Sequence, residues 1–114
     1  MFRRKERGSV MIYKNFKEEK LSLLGFGTMR LPLTKEGKVD EEQVEEMIKY
    51  ALDSGVNYFD TAYPYHDGES ERIIGRILSK YPRDSYFLAD KFPGHQIFDD
   101  YTPQRFFEEQ LERC

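Results

Sequence analysis

Asp40-Glu-Glu-Gln-Val-Glu-Glu-Met-Ile-Lys-Tyr-Ala-Leu-Asp-Ser-Gly-Val-Asn-Tyr-Phe-Asp60 is the stretch whose reading decides the fold. Asp40 has the side chain to cap a helix, and Gln43 three residues later completes a capping-box pattern. Glu41 and Glu42 put negative charge in the first turn, where the helix dipole favours it. Val44, Met47, Ile48, Ala51 and Leu52 recur at the spacing that lines one helical face. Gly55 stands where a helix commonly ends in a left-handed residue. Val56 to Asp60 then reads as a buried strand that finishes on a carboxylate. A helix followed by a buried strand, with a tight glycine turn between them, is half of a β-α-β unit.

The same grammar extends in both directions. Before the helix, Leu24-Gly-Phe-Gly-Thr-Met-Arg-Leu31 is an apolar run with two glycines, as in a strand whose backbone something must approach closely. Residues 32–38 form a loop. After Asp60, residues 61–69 form a polar, turn-rich loop containing Pro64 and Gly68. A second helix runs from about Glu69 to Ser79, with Ile73, Ile74, Ile77 and Leu78 on one side and Pro82 beyond its end. Gly75 inside it costs about 1 kcal/mol relative to alanine, which points to close packing at that position. Ser85 to Lys91 is a third strand. Thr102 caps a third helix with Pro103 in its first turn and Phe106, Phe107 and Leu111 as its apolar face. Ahead of all this, Tyr13, Phe16, Leu21 and Leu23 flank a charged tip, the pattern of a short hairpin.

Strand starts near Leu24, Val56 and Ser85 are therefore about thirty residues apart with one helix after each. That order is α/β with a parallel sheet. A doubly wound sheet would carry a glycine-rich phosphate turn at the start of its first helix. Here that helix opens on three acidic residues, which repel phosphate, and the glycines lie in the strand. A (β/α)8 TIM barrel gathers functional residues at the C-terminal ends of several strands. Thr28 and Arg30, Asp60, and Lys91 stand at those ends. The barrel is the better reading, and 114 residues supply only its N-terminal hairpin and about three βα units.

Composition fits a folded chain. Nine Phe and eight Tyr, with 39% hydrophobic residues, argue against disorder. The net charge of −3 gives no overall basic field for nucleic acid, and no apolar run is long enough to span a membrane. Residues 1–10, which include Arg3, Arg4, Lys5 and Arg7, are expected to be a poorly ordered extension, with a nucleic-acid or membrane tag as the alternative. Residues 11–114 carry the fold. The single cysteine, Cys114, makes neither an internal disulfide nor a metal site by itself, so no metal ligands are expected and the cytoplasm is the default location.

Asp60, Tyr65 and Lys91 are the candidate catalytic residues, because a barrel brings them to one end. Taken singly, Asp60 can start an Asx-turn, Lys91 can be a solvated strand end, and Tyr65 can pack a loop. Together they make a proton donor. A lysine ammonium beside a phenol stabilises the phenolate and lowers a pKa whose reference is about 10. A carboxylate keeps that lysine charged and oriented. Carbonyl reduction needs such a general acid at the oxygen while hydride reaches the carbon.

At these residues the chain resembles the aldo-keto reductases. The matching stretches are Leu24 to Leu31, Phe59-Asp-Thr-Ala-Tyr-Pro-Tyr65, Glu69-Ser-Glu71 with Ile74-Gly-Arg-Ile-Leu78, and Phe87-Leu-Ala-Asp-Lys91. The resemblance implies a (β/α)8 barrel closed at its bottom by a hairpin, and reduction of a small aldehyde or ketone by NADP(H) or NAD(H). It implies a tetrad of Asp, Tyr, Lys and His, with the first three at Asp60, Tyr65 and Lys91. It also places Gly27, Thr28 and Met29, with Arg30 and Asp60, at the nicotinamide end of the cofactor. The family histidine follows a fourth strand, beyond this chain. His66 and His95 do not match it and read as exposed loop residues. Asp90 stands where a small Ser or Thr is commoner, and as a strand neighbour it should face away from the Lys91 ammonium. Relatives with similar Tyr-Pro-Tyr-His-Asp-Gly wording carry an iron–sulfur cluster in a C-terminal segment outside these residues. An incomplete barrel leaves open sheet edges through which the chain can self-associate. The alternative to an enzyme is an inactive fragment or a non-catalytic regulatory or interaction subunit built from the same barrel.

Overall fold

The computed structural model describes residues 11–94 and 102–114. The basic cluster near the start and His95 lie outside the described residues. Two strands, β1 (Tyr13–Phe16) and β2 (Glu19–Ser22), pair antiparallel as the expected hairpin, with Lys17 in the left-handed region at φ 54°. Strands β3 (Phe26–Gly27), β4 (Tyr58–Asp60) and β5 (Phe87–Ala89) form a parallel sheet in the order β3-β4-β5. Helices α1 (Glu41–Asp53), α2 (Glu69–Leu78) and α3 (Pro103–Arg113) follow the three strands in turn.

Each helix starts where its cap chemistry dictates. The Asp40 carboxylate accepts from the Gln43 amide at 3.1 Å, and the Thr102 hydroxyl accepts from the Arg105 amide at 3.2 Å. Gly55 at φ +95° closes α1. The same residue seats the hairpin: the Tyr13 hydroxyl donates to the Gly55 carbonyl at 2.8 Å, and a Cβ at Gly55 would stand 2.7 Å from that hydroxyl. Asn57 completes the attachment, its Oδ1 accepting from Ser22 N and its Nδ2 donating to Lys20 O. The hairpin thus lies at the N-terminal end of β4, opposite the end that carries Asp60.

Val44 and Ile48 of α1, Ile73, Ile74, Ile77 and Leu78 of α2, and Phe59 of β4 make a core that is at most 1% exposed. Phe59 is the hub, its ring tilted against Phe26 at 5.6 Å and edge-to-face with Tyr86 at 6.4 Å between centroids. Outside this layer, Glu41 and Glu45 of α1 pair with Arg72, Arg76 and Lys80, bridges on the surface that fix helix register more than they stabilise.

Two expectations need correction. All three strands of the parallel sheet are shorter than the runs that suggested them: residues 28–31 leave the first ladder, Val56 and Asn57 precede the second, and Arg83–Ser85 is a short 3-10 turn ahead of the third. Residues 65–68 form a turn within the expected turn-rich loop, and in it His66 and Asp67 both adopt left-handed backbone, at φ 52° and 54°. The apolar residues of α3 do not share one buried face. Phe106 inserts between Tyr63 and Phe92, while Phe107 and Leu111 are 56% and 63% exposed along the outer flank.

Candidate active site

The register of the sheet builds the site. Gly27 pairs with Asp60, and Asp60 with Ala89, so the strand ends of β3, β4 and β5 stand side by side. Two residues past β5, Lys91 turns its ammonium back across β4. It donates to Asp60 Oδ1 at 2.7 Å and to the Thr61 carbonyl at 3.1 Å. Its nitrogen also lies 5.0 Å from the centre of the Tyr65 ring. Burial works against the charge, but the hydrogen bonds and charges of Asp60 and Tyr65 together outweigh it, so the ammonium pKa is held above its ordinary value. Asp60, Tyr65 and Lys91, 31 positions apart at the extremes, therefore meet. The pair is exposed enough that it adds little to stability; what it fixes is the position of a positive charge beside a phenol.

A buried hydroxyl chain supports Asp60 from below, and sequence reasoning missed most of it. Thr28, Thr61 and Ser70 are all fully buried. Thr28 Oγ1 donates to the Asp60 carbonyl at 2.8 Å, and Ser70 Oγ lies 2.8 Å from both Thr28 Oγ1 and Thr61 Oγ1. If Thr61 donates to Ser70 and Ser70 to Thr28, every proton in the chain has an acceptor. The Thr28 amide also donates to the Asp60 carbonyl, at 3.0 Å. Thr28 thus braces the end of β4, with both its hydroxyl and its N–H committed there. The only sequence signal was small hydroxyl residues beside each motif.

The other residues assigned to a cofactor are open. A Cβ built on Gly27 would meet nothing within 4 Å, and Met29 is 60% exposed on the lip beside it. Arg30 is exposed as well. The open space over Gly27, which pairs with Asp60, leaves room for a nicotinamide ring, so the residues present fit that group.

His66 is not the exposed loop residue that was expected. It is half-buried, and its Nε2 accepts from the Leu31 amide at 2.9 Å, tying the Tyr65 turn to the segment that carries Met29 and Arg30. Asp90 does keep away from the Lys91 ammonium, yet its Oδ1 accepts from the backbone N–H of Lys91 at 2.8 Å. Nor are clustered ligand-type side chains absent: Glu71, Asp90 and Cys114 bring their polar atoms within 4.8 Å of one another, a convergence that no local spacing reveals.

Comparison with known proteins decides the family. The profile of the aldo/keto reductase family matches residues 23–114. The chain belongs to the aldo/keto reductase family. The aldo-keto reductase YhdN of Bacillus subtilis is 37% identical over 93 residues, covering 77% of this chain and 28% of its own length. The solved structure of the thermostable aldo-keto reductase Tm1743 superposes with a TM-score of 0.68 at 30% identity, over 90% of this chain and 38% of that one. An aldo-keto reductase from Klebsiella pneumoniae, solved with NADPH, gives 0.69 at 23% identity over 90% of this chain and 36% of its own, which speaks for the fold alone. This reductase-family chain thus spans little more than a third of the barrels it superposes on, and its strands are a partial set of theirs. The iron–sulfur expectation is not borne out; two Klebsiella pneumoniae aldo-keto reductase structures were solved with NADPH or with NADP and acetate. Among the described residues, no helix is long and apolar enough to cross a membrane.

Proposed function

We propose that these residues are the first part of a complete barrel that reduces small aldehydes or ketones with NADPH or NADH. The observation that carries this reading is the Lys91 ammonium held between Asp60, the Thr61 carbonyl and the face of Tyr65. Gly27, Met29 and Arg30 would hold the nicotinamide, which when bound would supply hydride for the carbonyl carbon. The Tyr65 hydroxyl gives its proton to the carbonyl oxygen, and the product is an alcohol. The Lys91 ammonium stabilises the phenolate that remains, and the Asp60 carboxylate keeps Lys91 charged and in place.

The 114 residues alone are the inactive alternative. The β3 and β5 edges are both open among the described residues, and exposed Leu24, Met47 and Tyr50 on one flank oppose Phe107 and Leu111 on the other. Such edges self-associate. The test is oxidation of NADPH by a panel of aldehydes and ketones in a complete barrel containing this chain. Stoichiometric alcohol formation supports the reading; cofactor binding without turnover of any carbonyl favours the non-catalytic subunit.

A further inference from the structure

Lys91 lies beyond the last ladder residue of β5, so the sheet does not hold its backbone. Side chains do. Asp90 Oδ1 takes the Lys91 N–H at 2.8 Å, and Gln110 Nε2 of α3 donates to the Lys91 carbonyl at 2.9 Å. The peptide groups on both sides of the Lys91 Cα are thereby fixed. Gln110 is itself buried, and its amide also faces Asp90 Oδ2 at 3.3 Å and Glu71 Oε1 at 3.5 Å.

Glu71 of α2 is fully buried, and its Oε2 has no hydrogen-bond partner among the described residues. Arg113 Nε approaches that oxygen at 3.5 Å. Burial, then the hydrogen bond and charge of Asp90, push the Glu71 carboxyl up to about 7, against the pull of Arg113 and Gln110. Burial and the same two carboxylates push the Cys114 thiol up to about 12, so it stays a donor, and it reaches Asp90 Oδ2 at 3.5 Å. Asp90 is therefore one carboxylate among donors, the Lys91 N–H, the Gln110 amide and the Cys114 S–H, with the Glu71 carboxyl within 4.8 Å. Its two oxygens have room for about four such bonds. A cation held by Glu71, Asp90 and Cys114 would instead confront the Arg113 guanidinium and the Gln110 N–H groups, and it would need a thiolate that burial disfavours.

We propose that Asp90, Gln110 and Glu71 are positioning residues for Lys91. Asp90 and Gln110 fix its backbone, Glu71 locks those two in place, and the ammonium in consequence meets Asp60 and Tyr65. The contribution to turnover rests on the proposed reductase reading, whereas the effect on the ammonium does not.

The test uses the complete barrel, with 15N NMR of the Lys91 ammonium and the pH profile of kcat as readouts. Gln110→Leu removes both amide protons. It is expected to speed proton exchange at the Lys91 ammonium and to lower kcat by about tenfold or more, while the affinity for NADPH is kept. Glu71→Gln replaces the acid O–H by an amide N–H and is expected to rescue both readouts, with a kcat profile that no longer changes near neutral pH. Asp90→Asn keeps an acceptor for the Lys91 N–H but turns an amide toward Gln110, and is expected to fall between. An unchanged Lys91 signal in folded Gln110→Leu and Asp90→Asn proteins would overturn the proposal, as would a kcat loss that leaves that signal untouched. If the wild-type barrel reduces no carbonyl, the reductase reading fails and the ammonium signal alone decides the frame.

Discussion

Gly75→Ala tests how α3 reaches the site. By helix propensity alone the change should stabilise α2 by about 1 kcal/mol. The structure argues the opposite sign. A Cβ at this position would stand 1.8 Å from the Arg113 carbonyl oxygen, 2.9 Å from its carbon and 3.1 Å from the Cys114 Cα. These are backbone atoms, so no side-chain rotation relieves the clash, and the end of α3 has to retreat by about 1.5 Å to reach ordinary contact distance. Gln110 lies one turn earlier on the same helix, and its 2.9 Å bond to the Lys91 carbonyl would stretch beyond hydrogen-bond range. Overpacking of this kind costs about 1–3 kcal/mol, and the lost hydrogen bond about 1 kcal/mol more. The net expectation is a loss of roughly 1–3 kcal/mol once the propensity gain is subtracted. Urea unfolding of the complete barrel, wild type against Gly75→Ala, measures it through the midpoint at constant slope. A variant stabilised by the full propensity gain would refute the close packing of α2 and α3.

Three further outcomes follow from the same geometry. Asp60→Asn should lower turnover by loosening Lys91, with its 2.7 Å ion pair removed; chelator treatment of the wild type should change nothing, and activity restored only by a divalent metal would contradict this. The raised carboxyl of Glu71 makes the folded state bind more protons than the unfolded state between pH 4.5 and about 7. Its contribution is thus fully present below the lower value and is lost as pH rises through the upper one, by about 3 kcal/mol at most; Glu71→Gln should flatten that part of a stability–pH curve, and an equal slope in both proteins would count against a buried acid. The isolated 114-residue chain, with two open edges and only part of a barrel core, should be molten or associated and bind NADPH weakly. Analytical ultracentrifugation with calorimetry decides this, and a monodisperse monomer with a cooperative transition and micromolar cofactor affinity would overturn it.

What was legible in the sequence was what depends on local chemistry. Asp40 and Thr102 cap the helices they were expected to cap, and Gly55 ends α1, because those signals act within one turn. The strand-end residues Asp60 and Lys91 could be paired on paper because a parallel sheet fixes which ends are neighbours. Strand lengths were overestimated because an apolar run does not say where the ladder stops. The supports were invisible for a different reason. Thr28 and Ser70 are 42 positions apart, and Glu71 and Gln110 are 39 apart, so only the packing of α2 and α3 against the sheet brings them together. His66 was misjudged because its partner is a backbone amide, which any residue but proline at position 31 would offer.

The most direct test of the central claim is Tyr65→Phe in the complete barrel, assayed for carbonyl reduction and separately for NADPH binding. Removing the hydroxyl leaves the ring under the Lys91 ammonium and takes away only the proton. Turnover is predicted to fall by about a hundredfold or more while NADPH affinity is kept. Turnover equal to wild type would contradict the assignment of Tyr65 as the acid, and with it the reading of this strand-end cluster as a carbonyl-reducing site.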